Sequence, residues 1–151
     1  MRQNKYPLPN FLKGKITPEA YQKWLQRKAI AHILRDKSRG IECTGKEYKE
    51  KIHKAVEASN GRDAYTGKML DWKLMSTYDN EESHRGRTSY KKEFASLPTV
   101  DHTITGKKSQ FVICAWETNV AKNDMTLKDF MKLCKLVLLY AGYKVVDPKK
   151  K

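Results

Sequence analysis

Asp101 and His102 stand side by side, and a short stretch further along carries Asn119, Lys122 and Asn123. These residue types suit hydrolysis of a phosphate ester. A neutral imidazole titrates near neutral pH and can take a proton from an attacking water. The Asp101 carboxylate and the Asn119 side-chain carbonyl are hard oxygen donors, matched to Mg²⁺ or Mn²⁺. A divalent ion held by a pair of protein oxygens keeps positions open for water and phosphate oxygens, and can stabilise charge on the leaving oxygen. Asn123 lies one helical turn after Asn119, on the same face. It is either a further ligand or the residue that stops the helix. Lys122 is either a phosphate contact or a solvated lysine.

The elements that must position these groups are legible from pattern. The stretch 97–104 reads as a strand with Val100 and Ile104 inward, 105–109 as a turn, and Phe111 to Trp116 as a second strand rich in β-branched and aromatic residues. Together they make a hairpin, and helical residues return from Glu117 to about Asn123. Neighbouring residues of a regular strand point to opposite faces. Asp101 and His102 can therefore serve one phosphate only if the strand ends or bulges there, which predicts an irregularity near His102 or Thr103. Upstream, Tyr6 to Asn10 is an extended, proline-rich arm. Thr17-Pro18-Glu19 opens a helix that runs to about Arg35, with Tyr21, Trp24, Leu25, Ile30, Ile33 and Leu34 as its apolar positions. A second helix, Gly45 to Ser59, presents Tyr48, Ile52, Ala55 and Val56 and stops at Asn60-Gly61. Thr66-Gly67 is a tight turn, and 76–92 is a long polar loop. Thr126 caps a last helix whose broad apolar face is Phe130, Leu133, Val137, Tyr140 and Ala141, stopped by Gly142.

The order of these features resembles the HNH (ββα-metal) endonuclease family over 63–134. Tyr65-Thr66-Gly67-Lys68-Met69-Leu70 looks like the turn often found ahead of that motif. Asp101-His102 on one strand, a hairpin, Asn119 opening Asn-x-x-Lys-x-Asp-Met-Thr and a following Phe-x-x-x-Cys helix complete the likeness. The resemblance implies an α+β fold: a ββα-metal core of a β-hairpin plus a short helix, packed with N-terminal and C-terminal helices. It implies His102 as general base, Asp101 and Asn119 as ligands of one Mg²⁺ or Mn²⁺, and a phosphodiester of DNA as substrate. Gln110 stands near the position of the family's middle Asn, where it would support the histidine. The chain departs from the many members that frame the site with two C-x-x-C pairs around a zinc ion. Asp63 and Ala64 occupy the region of the first pair, Thr118 replaces a cysteine of the last, and only Cys114 fits the pattern. Cys43, Cys114 and Cys134 cannot assemble four thiolates. No structural zinc is expected, with packing of Tyr65, Leu70, Trp72 and Trp116 in its place.

Charge points to the partner. The 151 residues hold 31 Lys and Arg against 17 Asp and Glu, a net charge of +14 at pH 7, which attracts polyanions. Double-stranded DNA is the expected partner, with Arg85 and Arg87 in the polar loop as candidate groove or backbone contacts and His84 beside them. His32 and His53 read as helix residues without a chemical role. No apolar run reaches the ~20 residues of a membrane span, and Met1 to Asn10 lacks the features of a signal peptide. Unpaired cysteines favour a reducing, cytoplasmic setting. The organisation expected is a basic helical region over 1–60, the nuclease-like core with its helix over 61–142, and a basic tail over 143–151. Two other functions share the charge and the fold: nucleic-acid binding without cleavage, and a ribonuclease. Cutting both strands with one site per chain would favour a homodimer, for which Tyr21, Trp24 and Ile33 of the first helix are a candidate interface.

Overall fold

The computed structural model describes residues 4–77, 92–104 and 110–148. It is mixed α+β, with four α-helices and one two-stranded antiparallel hairpin among the described residues. The chain divides into two compact units, Met1–Ala121 and Lys122–Lys151.

In the first unit, helix α1 spans Pro18–Ser38 and α2 spans Gly45–Ser59. Both begin as their sequences dictate. Thr17 accepts a hydrogen bond from the Ala20 amide at 3.1 Å, and Thr44 accepts from the Glu47 amide at 3.2 Å, filling donors that a helix start leaves open. Asn60, at φ 46°, ends α2 in the left-handed conformation. The proline-rich arm lays Tyr6 against this pair, and Leu12 is fully buried just after it.

The face α1 turns inward differs from the expected stripe. Tyr21, Trp24, Leu25 and Ala29 are buried, but Ile30 and Leu34 are 44% and 65% exposed. The buried row continues instead through His32 and Asp36. The helix keeps its period; polar side chains occupy the inward positions because they meet partners on the hairpin. Tyr21 and Trp24 pack with Trp72, Ile52 and Val56 in the core, so they offer no surface to a second copy.

Strand β1, Pro98–Ile104, pairs with β2, Gln110–Ala115. Pairing is regular from Pro98↔Ala115 to His102↔Phe111, then shifts before Ile104↔Gln110. The irregularity falls at Thr103, where it was predicted. Val100, Phe111 and Ile113 bury against both helices' residues, which anchors the hairpin on the α1–α2 pair. Helix α3, Trp116–Lys122, follows β2 directly.

In the second unit, helix α4 spans Leu127–Tyr140 under a Thr126 cap. None of its residues is buried. The broad apolar face read from the sequence is not buried by the described residues. No helix among the described residues is long and apolar enough to cross a membrane.

Candidate active site

The irregularity in β1 lies after His102, so Asp101 and His102 both keep regular register, opposite Val112 and Phe111. Strict alternation then sends their side chains to opposite faces of the hairpin. The expectation that a bulge would turn both toward one phosphate is corrected here: the bulge is present, but it comes one residue too late to do so.

On the first face, the Tyr65 hydroxyl donates to Asp101 Oδ2 at 2.6 Å. Burial, then this bond, pushes the Tyr65 phenol well above its ordinary range. Next to it, Asp63 organises the turn 63–68. Its Oδ1 accepts from the amides of Tyr65 at 2.7 Å and Thr66 at 3.2 Å, the local bonding that makes aspartate a turn residue. Gly67, at φ 71°, closes the turn by donating to the Asp63 carbonyl. Asp63 Oδ2 reaches across the fold to accept from the Ala115 amide at 3.0 Å and the Thr118 hydroxyl at 2.6 Å. Burial alone would raise this carboxyl, but the bonds from Thr118, Tyr65, Ala115 and Thr66 together hold it below its ordinary value. Asp63 and Thr118 are the residues noted at the places of zinc-binding cysteines. Leu70 and Trp72 are buried as expected, yet apolar packing is not the whole of the tie. A buried carboxylate joins the turn, the end of β2 and the first turn of α3.

On the second face, His102 is 8% exposed and sits under the end of α1. Its Nε2 lies 3.0 Å from Asp36 Oδ2, and the Tyr48 hydroxyl of α2 donates to the same carboxylate oxygen. Its Nδ1 is buried and has no hydrogen-bond partner among the described residues. The ring packs edge-on to His32, centroids 4.7 Å apart, and tilted against Phe111 at 4.8 Å. Arg35 Nη2 is 3.4 Å from His102 Nε2 and 3.3 Å from His32 Nδ1. A nitrogen that donates to Asp36 cannot also accept from a guanidinium, so the Arg35 bond belongs to His32. The His32 ring in turn donates to the Val100 carbonyl, and burial, with Arg35 and Lys28 nearby, lowers its pKa to about 3. His32 is thus a neutral bridge between α1 and β1. With Nε2–H facing a carboxylate, neutral His102 carries its lone pair on Nδ1. A carboxylate that fixes the tautomer and can stabilise an imidazolium is the arrangement of a general base.

Comparison with known proteins finds no family model that matches the chain, no similar curated protein and no similar solved structure. The residues themselves must carry the reading.

Of the other sequence candidates, Asn119 is half-buried on α3 and lines a cleft against α1. Asn123 is exposed, one residue past α3, at φ 50°. That backbone marks it as the helix stop, and it is not on the helical face of Asn119. Lys122 is buried, which removes the reading of it as a solvated lysine. Gln110 is exposed opposite Ile104 and makes no hydrogen bond to His102 among the described residues; Asp36 does that work. Arg85, Arg87 and His84 lie outside the described residues. His53 is buried, 2.7 Å from the Tyr21 hydroxyl through Nδ1, as a core histidine. Among the described residues, no group of three or more His, Cys, Asp and Glu side chains could enclose a metal ion. A carboxylate and an amide still fit a hard cation that keeps most of its ligands as water or substrate oxygens, as Mg²⁺ does.

Sequence reasoning missed Asp36, Tyr48 and Arg35. The signal was there for Asp36. It lies on the same helical row as Tyr21, Leu25 and His32, and a charged residue in phase with a buried stripe is the observation that demands a partner.

Proposed function

We propose that this protein is a metal-dependent, HNH-like endonuclease that hydrolyses phosphodiester bonds in DNA. The observation that carries the reading is the state of His102. Its Nε2 is held by Asp36 at 3.0 Å, while Nδ1 is left without a partner among the described residues. A structural histidine ordinarily satisfies both nitrogens. One nitrogen fixed by a carboxylate and one without a protein partner is what proton abstraction by a water admitted to that nitrogen requires. Asp101 would hold the cation, with Asn119 supplying a second oxygen; bound there, the ion would polarise a phosphoryl oxygen and stabilise the leaving alkoxide. Asp101 and His102 stand within two positions of the strand's irregular end. The net charge of +14 favours a polyanionic substrate.

Nicking of supercoiled plasmid in Mg²⁺, Mn²⁺ or EDTA tests this, with wild type beside His102→Ala. Metal-dependent conversion that the variant loses, at unchanged DNA affinity, is the expected result. One feature favours the alternative of binding without cleavage: the burial of His102 beside Asp36 and Tyr48 would equally suit a polar cross-link between helices and hairpin. Wild type that shifts DNA in a gel but never nicks it would establish that alternative.

A further inference from the structure

A cleft of about 410 Å³ opens between α1, the start of β1 and the first turn of α3. Arg27 and Lys28 stand on its α1 wall, and Thr99 and Asn119 on the opposite one. Some lysines of this unit pair with carboxylates: Lys51 with Glu47 at 2.8 Å, Lys54 with Glu50 at 3.2 Å, and Lys68 with Glu117 at 3.2 Å. Arg27 and Lys28 have no such partner among the described residues. Burial, and then the neighbouring Arg27 guanidinium, lowers the Lys28 ammonium pKa. Two adjacent cations, one of them desolvated, raise each other's energy until an anion arrives. The opposite wall adds a hydroxyl and an amide, both neutral donors.

We propose that this cleft binds a phosphodiester group of nucleic acid, with Arg27 and Lys28 supplying charge and Thr99 and Asn119 supplying hydrogen bonds. The α1 segment, which bears no part of the resemblance described above, then contributes substrate contacts of its own. The proposal rests on the nucleic-acid part of the functional reading and not on its chemistry. Asn119 can serve both, since an amide offers a carbonyl to a cation and an NH₂ to an anion.

The test is binding of a short DNA duplex in EDTA, where cleavage cannot intervene, followed by fluorescence anisotropy across a range of salt. Each phosphate neutralised contributes roughly 0.9 to the slope of log K against log salt. The Arg27→Ala/Lys28→Ala double variant should lose a slope of roughly one, Lys28→Arg should retain it, and Lys54→Ala should leave it unchanged because that ammonium is already paired. A double variant no different from Lys54→Ala overturns the proposal. A second readout needs no variant. Acylation of wild-type Lys28 by an amine-reactive ester should fall several-fold when duplex is added, while Lys54 stays reactive. Unprotected Lys28 overturns the site. Equal protection by inorganic phosphate, at matched ionic strength, assigns the cleft to a free anion and overturns the nucleic-acid assignment. Loss of slope in a protein that never nicks plasmid would leave the cleft standing and remove only the chemistry.

Discussion

The two faces of the hairpin hold their acids in opposite ways. On one, Asp63 spends both oxygens on four donors, from the Thr118 hydroxyl and the amides of Tyr65, Thr66 and Ala115. On the other, Asp36 shares one oxygen between Tyr48 and His102, and the histidine beyond it keeps a nitrogen unpartnered among the described residues. A saturated carboxylate is a cross-link: every lone pair used makes the local structure more costly to change. An acid whose partner is left half-satisfied is a cost that folding alone does not require. The first face therefore reads as scaffold and the second as chemistry, although Asp101, the expected cation ligand, lies on the scaffold side.

Breaking each face in turn should separate these roles. The largest effect expected is on cleavage by His102→Ala, a loss of about 10²-fold or more if the imidazole is the base. Asp63→Ala should act on the fold instead. It strands buried donors at the end of β2 and in the 63–68 turn, and should cost about 3 kcal/mol of unfolding free energy. Urea denaturation measures it. A loss below about 1 kcal/mol would show that apolar packing around Trp72 suffices to hold the turn. Asp36→Asn should come next. The amide oxygen can still accept from His102, but it carries no charge to stabilise an imidazolium. Cleavage should fall about 10- to 100-fold, with DNA affinity in EDTA unchanged and a thermal midpoint within a few degrees of wild type. Affinity and midpoint falling along with cleavage would make Asp36 a structural tie only.

How far the sequence foretold this division depends on the range of the interaction. Local signals read well. The Thr17 cap, the Asn60-Gly61 stop, the hairpin and the irregularity at Thr103 all follow from residues within a few positions of one another. The Asp63 tie was half visible: its place opposite Thr118 was apparent, but that a carboxylate would link them was not. The Asp36–His102 contact joins residues 66 apart in the chain, and no periodicity announces such a pair. Counting hydrophobic residues on α1 favoured Ile30 and Leu34 and passed over the polar positions that in fact face inward. Opposite orientations for Asp101 and His102 were implied by strand geometry. The position of the bulge, one residue further on, was decided by the pairing of Ile104 with Gln110.

The smallest effect sharpens the comparison most, because acid should reach the two faces at different pH. Burial of His32 against Phe111 and His102, and then the nearby Arg35 and Lys28 charges, outweigh its bond to the Val100 carbonyl and lower its pKa from 6.5 to about 3. Burial lowers that of His53 as well. Between those two values the unfolded chain takes up a proton at His32 that the folded chain refuses. Stability is then complete above 6.5 and falls as pH drops through that window. Asp63 behaves otherwise. Its carboxyl is held below 3.8, so its contribution persists above that value and is lost only on further acidification. Acidifying from neutral pH should therefore weaken the His102 face first, by about 1 kcal/mol at about pH 5.5. His32→Gln keeps an amide that can donate to Val100 and accept from Arg35, but it cannot titrate, and it should flatten this part of the profile. Asp63→Asn should lower stability at neutral pH and remove the further loss that wild type shows below about pH 4. Unfolding free energies measured from neutral pH down to that range decide the matter. A wild-type profile that stays level to about pH 5 would mean that His32 accepts its proton in place, and the picture of a neutral bridge between α1 and β1 would fail.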